Sequence, residues 1–102
     1  VLSSPNPPDC FFAISDNLAA AAIKAVQYCN LKVPSDVLVI GFDNTNISQL
    51  STPSITTIKQ PCSQLGYLAS ELLIEKINNP DTEIKQVQLP TELIIRESTS
   101  QE

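Results

Sequence analysis

Apolar residues along this 102-residue chain gather in a few dense stretches, and their spacing predicts the elements. The densest is residues 36–44, Asp-Val-Leu-Val-Ile-Gly-Phe-Asp-Asn. Val37 to Ile40 run without a polar break and Phe42 follows Gly41, a pattern that predicts a strand covered on both faces, because a half-solvated strand would alternate apolar with polar. Such strands lie inside parallel sheets. The run stops at Asp43 and Asn44, so two polar side chains stand at the carboxyl end of a buried strand, the edge at which open α/β sheets bind ligands.

Residues 10–14, Cys-Phe-Phe-Ala-Ile, predict a second buried strand. Ser15-Asp16-Asn17 then offers a helix N-cap, with Asp16 the expected capping residue and Ser15 still at the strand end. From Leu18 to Cys29 the residues are strong helix formers; Leu18, Ala22, Val26 and Cys29 form an apolar stripe, widened by Ala19, Ile23 and Ala25. Only Lys24 and Gln27 are strongly polar, which predicts a helix covered by its sheet on one side and by a second subunit on another. Strand, helix and strand within about 30 residues make a βαβ unit, whose strands are parallel and whose crossover is right-handed. The expected fold class is therefore α/β with a parallel sheet. Its connectivity brings Ser15 and Asp16 beside Asp43 and Asn44 on one rim.

Residues 44–53 are rich in Asn, Ser and Thr and predict a surface loop. Residues 55–59, β-branched at four of five positions, predict a strand that Gln60-Pro61 breaks. Residues 62–78 predict an amphipathic helix with Leu65, Leu68, Ala69, Leu72, Leu73 and Ile77 on the dry side and Ser70, Glu71, Glu75 and Lys76 on the wet side. Gly66 lowers its stability by about 1 kcal/mol relative to Ala unless something packs close there. Residues 86–89 and 92–96 read as two short extended pieces parted by Pro90. At the ends, residues 1–9 with Pro5, Pro7 and Pro8 read as an extended linker, and the polar stretch from Glu97, with residues 99–102 as a tail, reads as frayed.

Composition narrows the function. The length suits one domain with a modest core, and a net charge of −5 is unsuited to gripping a phosphate backbone, so DNA contact would fall to another part of the protein. Three widely spaced cysteines, Cys10, Cys29 and Cys62, suggest neither a disulfide framework nor a zinc site, and predict reduced, buried thiols in a cytoplasmic protein. The absence of histidine removes the Ser-His and Cys-His nucleophile systems and the commonest metal ligand, which argues against an enzyme. With two glycines in the chain, a Gly-rich phosphate loop is excluded, and no cofactor is expected. No apolar run approaches the roughly 18 residues that a membrane span needs. The chain starts without Met, and reads as a piece of a longer one.

Asp43 and Asn44 are the foremost candidates for a small polar ligand, since a carboxylate can accept hydrogen bonds from two neighbouring hydroxyls. Ser15 is assigned to the ligand and Asp16 to the helix cap. Gln60, at a strand end before proline, can aim an amide inward.

Five stretches taken in order resemble the C-terminal part of a LacI/GalR-family transcriptional regulator: residues 12–19 (FAISDNLA), 33–44 (VPSDVLVIGFDN), 53–61 (PSITTIKQP), 65–69 (LGYLA) and 89–98 (LPTELIIRES). The resemblance spans about Pro8 to Ser98 and implies part of a periplasmic-binding-protein-like type I effector domain, fused in the full protein to an N-terminal helix-turn-helix that binds DNA. It implies a sugar or nucleoside-like effector between two lobes, and no catalysis. Asp43 matches the family's effector-binding aspartate, Gln60 its glutamine near the cleft, and Ser15 stands where many members have a ligand-contacting Asn. The helix from Leu18 and the loop near Ile47 to Leu50 resemble the family's homodimer interface. A sugar-binding protein of a transport system shares the fold and is the alternative; an enzyme built on a doubly wound sheet is a third reading.

The resemblance also implies that helix 62–78 belongs to an N-terminal lobe most of which lies outside this chain, while the strands near 37–41 and 92–96 belong to the C-terminal lobe. Six apolar side chains left wet on that helix would cost on the order of 10 kcal/mol, so it is expected to seek another partner by dimerisation or segment exchange.

Overall fold

A computed structural model describes residues 1–100, which divide into two compact units: Val1–Lys59 with the segment from Glu92, and Gln60–Thr91. The part of the expected tail at 101 and 102 lies outside the described residues.

The first unit opens with β1 (Cys10–Phe12), α1 (Asp16–Tyr28) and β2 (Leu38–Ile40), the expected βαβ unit. β1 and β2 pair parallel, with Cys10 opposite Leu38, Phe11 opposite Val39 and Phe12 opposite Ile40. The chain continues through α2 (Asn46–Leu50) to β3 (Thr57–Lys59), which pairs antiparallel with β4 (Glu92–Ile94). A parallel bridge between Ile40 and Thr56 joins the two ladders, and Gly41 N–H donates to Thr56 C=O at 2.8 Å. Ala19, Ile23, Val39 and Ile55 form the core, flanked by Phe11, Ala13, Ala20, Ala22 and Val33.

Several expectations are corrected. The buried face of α1 is Asp16, Ala19, Ile23 and Val26; Leu18 and Cys29 of the expected stripe face solvent. The i, i+3, i+4 spacing fits both stripes, and contact with Val39 and Ile55 selects the one that the sheet covers. Residues 10–14 are not a buried strand, since Phe12 and Ile14 are 62% and 78% exposed. Phe11 and Ala13 turn to the core, and nothing among the described residues of the unit covers the other face. For the same reason the cysteines are not buried: Cys10 starts this edge strand, Cys29 caps α1, Cys62 opens the second unit's helix, and all three are exposed. The first residues make a turn rather than an extended run, with Ser4 N–H and Oγ both donating to Val1 C=O.

Residues 97–99 are ordered, not frayed. Glu97–Thr99 forms a 3-10 turn, and Ser98 is buried with its Oγ donating to Val39 C=O and accepting from Thr56 N–H at 2.8 Å. One hydroxyl thus stands in for a missing ladder link between two strands. Beside it Glu97 accepts from Ser54 N–H at 3.1 Å and Ser54 Oγ at 2.9 Å, bonds that hold its carboxyl below the ordinary glutamate range. A lowered folded pKa means stability present above the unfolded value and lost as pH falls through the folded one. Glu97→Gln is therefore expected to be less stable than the parent at neutral pH and to converge with it in acid, below the ordinary value of 4.5. Urea midpoints measured against pH check this; a gap that persists in acid contradicts it.

The second unit holds α3 (Cys62–Asn78), with the expected bounds, and a return segment without strand structure at 86–89, where the alternation Gln-Val-Gln-Leu finds no ladder partner. Lys85 Nζ pairs with Glu75 at 3.0 Å, and Lys76 Nζ donates to Thr82 C=O. No residue of α3 is buried; Leu73 and Ile77 are mostly exposed. Gly66 has open space where a Cβ would stand, so close packing does not account for it.

Candidate functional site

The rim forms because α1 begins where β2 ends. Ala13 N–H donates to Ile40 C=O at 2.8 Å and Asp16 N–H to Phe42 C=O at 3.1 Å, which sets the first turn of α1 against the chain leaving β2. Here the capping role expected of Asp16 falls to Ser15. Ser15 is the N-cap, in extended conformation, its Oγ accepting from Leu18 N–H at 3.2 Å. Asp16 lies one residue inside the helix and is wholly buried. Its Oδ1 accepts from Thr57 Oγ1 at 2.6 Å; its Oδ2 accepts from Thr45 N–H at 2.6 Å and Thr45 Oγ1 at 2.9 Å. Both oxygens are acceptors, as suits a carboxylate, and the helix N-terminus favours negative charge there. Gly41 makes room for it: a Cβ at that position would lie 2.3 Å from Asp16 Oδ1.

Asp43 and Asn44 follow β2 with φ of 99° and 53°, two successive left-handed residues of which neither is glycine. Such backbone costs of order 1–3 kcal/mol per residue and persists only where surroundings over-determine it. They do so here: Asp43 N–H donates to Ile58 C=O at 2.9 Å, Asn44 N–H to Thr57 Oγ1 at 3.2 Å, and Thr45 N–H to Asp16. Asp43's side chain is exposed at the strand end. Asn44 is half-buried, its Oδ1 accepting from Arg96 Nη2 at 2.8 Å, while Arg96 Nη1 donates to Ser48 Oγ at 3.0 Å and Ile55 C=O at 3.1 Å. Ser15, Asp43 and Asn44 thus share the rim of the first unit. Gln60 opens the second, its C=O accepting from Cys62 N–H at 2.9 Å.

Sequence reasoning missed Thr45, Thr57, Arg96 and Ser98 as members of this frame. For Thr57 the available signal was a pair of neighbouring threonines in a predicted strand, since successive strand residues point to opposite faces and a hydroxyl turned inward needs partners. Among the described residues no group of three or more His, Cys, Asp or Glu could hold a metal ion, and no helix is long and apolar enough to cross a membrane.

The profile of the periplasmic binding protein-like domain matches residues 2–99. The lactose operon repressor of Rhizobium radiobacter is 37% identical over 91 residues, which cover 89% of this chain and 80% of that protein. The chain belongs to the LacI/GalR family of transcriptional regulators. The probable HTH-type transcriptional repressor ExuR of Bacillus subtilis is 36% identical to this LacI-family chain over 98 residues, 96% of the chain and 29% of the repressor. The chain therefore spans about three tenths of the length of such curated relatives, which are repressors and not enzymes. The LacI-family regulator of Enterococcus faecium with bound ribose superposes at a TM-score of 0.82 with 31% identity, covering 97% of this chain and 36% of that one. The parallel pairing of β1 and β2 bears out the α/β class that the βαβ connectivity predicted, and the matched profile bears out the periplasmic-binding-protein-like architecture that the family resemblance implied.

Proposed function

We propose that this chain is an effector-binding and dimerisation part of a cytoplasmic LacI-type repressor, and that Asp43 receives the hydroxyls of a sugar or similar small polar ligand. The observation that carries this reading is the backbone of Asp43: a strained φ of 99° at the carboxyl end of a parallel strand, held by flanking amides so that a carboxylate is exposed at the rim. Ser15 is a companion on the same rim, its hydroxyl still able to donate while its oxygen caps α1. Gln60 and Asn44 are further candidates; Asn44's amide nitrogen is the group left for a ligand while its oxygen holds Arg96. The ribose in the related regulator supports a sugar as the first class to test.

Exposed apolar residues on α1 and α2, Leu18, Tyr28, Ile47 and Leu50, support a homodimer surface, and the exposed apolar residues of α3, Leu65, Leu73 and Ile77 among them, support its packing against the other lobe. DNA binding is assigned to a helix-turn-helix elsewhere in the full protein. The test is calorimetric titration of ribose and other sugars into the full-length regulator. Asp43→Ala is expected to weaken binding by about 2 kcal/mol, roughly thirtyfold, the scale of a charge-assisted hydrogen bond. Unchanged affinity in that variant removes Asp43 from the site.

A further inference from the structure

Thr57 is wholly buried on β3, and its single hydroxyl has two occupations: it donates to Asp16 Oδ1 at 2.6 Å and accepts from Asn44 N–H at 3.2 Å. Next to it, Ile58 C=O accepts from Asp43 N–H at 2.9 Å. Two consecutive residues of β3 therefore hold two consecutive left-handed residues of the rim loop, and Asp16 orients the hydroxyl that does half of this by accepting its hydrogen bond. Asp16 also holds the far end of the loop through Thr45.

We propose that Thr57 is a positioning residue for the effector: with Asp16 behind it, it fixes the conformation in which the loop presents Asp43. The proposal rests on the reading of Asp43 as a ligand contact. Valine at 57 keeps the shape and removes the hydroxyl. That leaves the Asp16 oxygen without its donor and the Asn44 amide without its acceptor, so the strain in residues 43 and 44 can relax. Serine keeps both bonds.

The experiment uses the full-length regulator in two arms. Hydrogen exchange of the peptide covering residues 42–46, without ligand, is expected to speed up by about tenfold in Thr57→Val and to return towards the parent in Thr57→Ser. A uniformly faster exchange across the unit, or none in this peptide, overturns the proposal. In the second arm D-ribose affinity is measured for Thr57→Val, Asp43→Ala and the double variant. Acting through Asp43, Thr57→Val weakens binding about tenfold alone and adds nothing in the Asp43→Ala background. Full additivity overturns positioning while Asp43 stands as a contact; no effect of Asp43→Ala, with the exchange result intact, overturns the ligand reading and leaves the loop frame in place. If Thr57→Val fails to fold, Thr45→Val, which removes one of the three bonds to Asp16 at an exposed residue, carries both arms with the same outcomes.

Discussion

Gly41→Ala is expected to destabilise the first unit by about 3 kcal/mol, at the upper end of what one added carbon does to a packed interior. The new Cβ would lie 2.3 Å from Asp16 Oδ1, 3.2 Å from Asp16 Cα and 3.3 Å from Ala19 Cβ. Retreat is blocked on each side. The carboxylate is tied to Thr57 and Thr45, the Cα belongs to the first turn of α1, and Gly41 is itself pinned to Thr56 by its own N–H. The φ of Gly41 is not positive, so space alone, not backbone freedom, makes the position glycine-only. Urea denaturation of the full-length protein measures this, and a loss under about 1 kcal/mol would show that the carboxylate can move aside.

Asp16→Ala is expected to be comparably severe, about 3–4 kcal/mol, because it strips acceptors from three donors at once. Thr45 N–H, Thr45 Oγ1 and Thr57 Oγ1 all spend a hydrogen bond on this carboxylate. A bond to a charged acceptor contributes roughly 1.5–3 kcal/mol, and the bonds share one partner, so their losses do not sum. Asp16→Asn should fall between, near 1–2 kcal/mol, since its amide oxygen can serve Thr45 N–H while its NH2 forces Thr57 to reverse its hydroxyl. Equal midpoints for the Ala and Asn variants would mean that the hydrogen bonds, as distinct from the charge, contribute little.

Asp16 also shows where sequence reasoning reached its limit. β1, α1 and β2 were legible because a parallel pair with a helical crossover has one common arrangement, and the rim with Asp43 and Asn44 followed from it. The cap was placed one residue late because Ser and Asp are equally good capping chemistry. Only partners 29 and 41 residues away, Thr45 and Thr57, decide that Asp16 faces inward. The same cause explains Ser98. A polar run at the end of a domain reads as solvated, and only the gap between Val39 and Thr56 shows why a serine is drawn into the interior. Exposure of Phe12, Ile14 and the cysteines was misjudged for the opposite reason: apolar residues announce that something should cover them, not that it is present.

The sharing of Asp16 has a further consequence for communication across the molecule. Its backbone belongs to α1, whose outer flank carries the exposed Leu18; its side chain grips Thr45, the residue that leads into α2 with exposed Ile47 and Leu50. A second subunit settling on that flank would therefore press on the loop that holds Asp43. By thermodynamic reciprocity, any change it made in sugar affinity would be matched, factor for factor, by a change that sugar makes in subunit affinity.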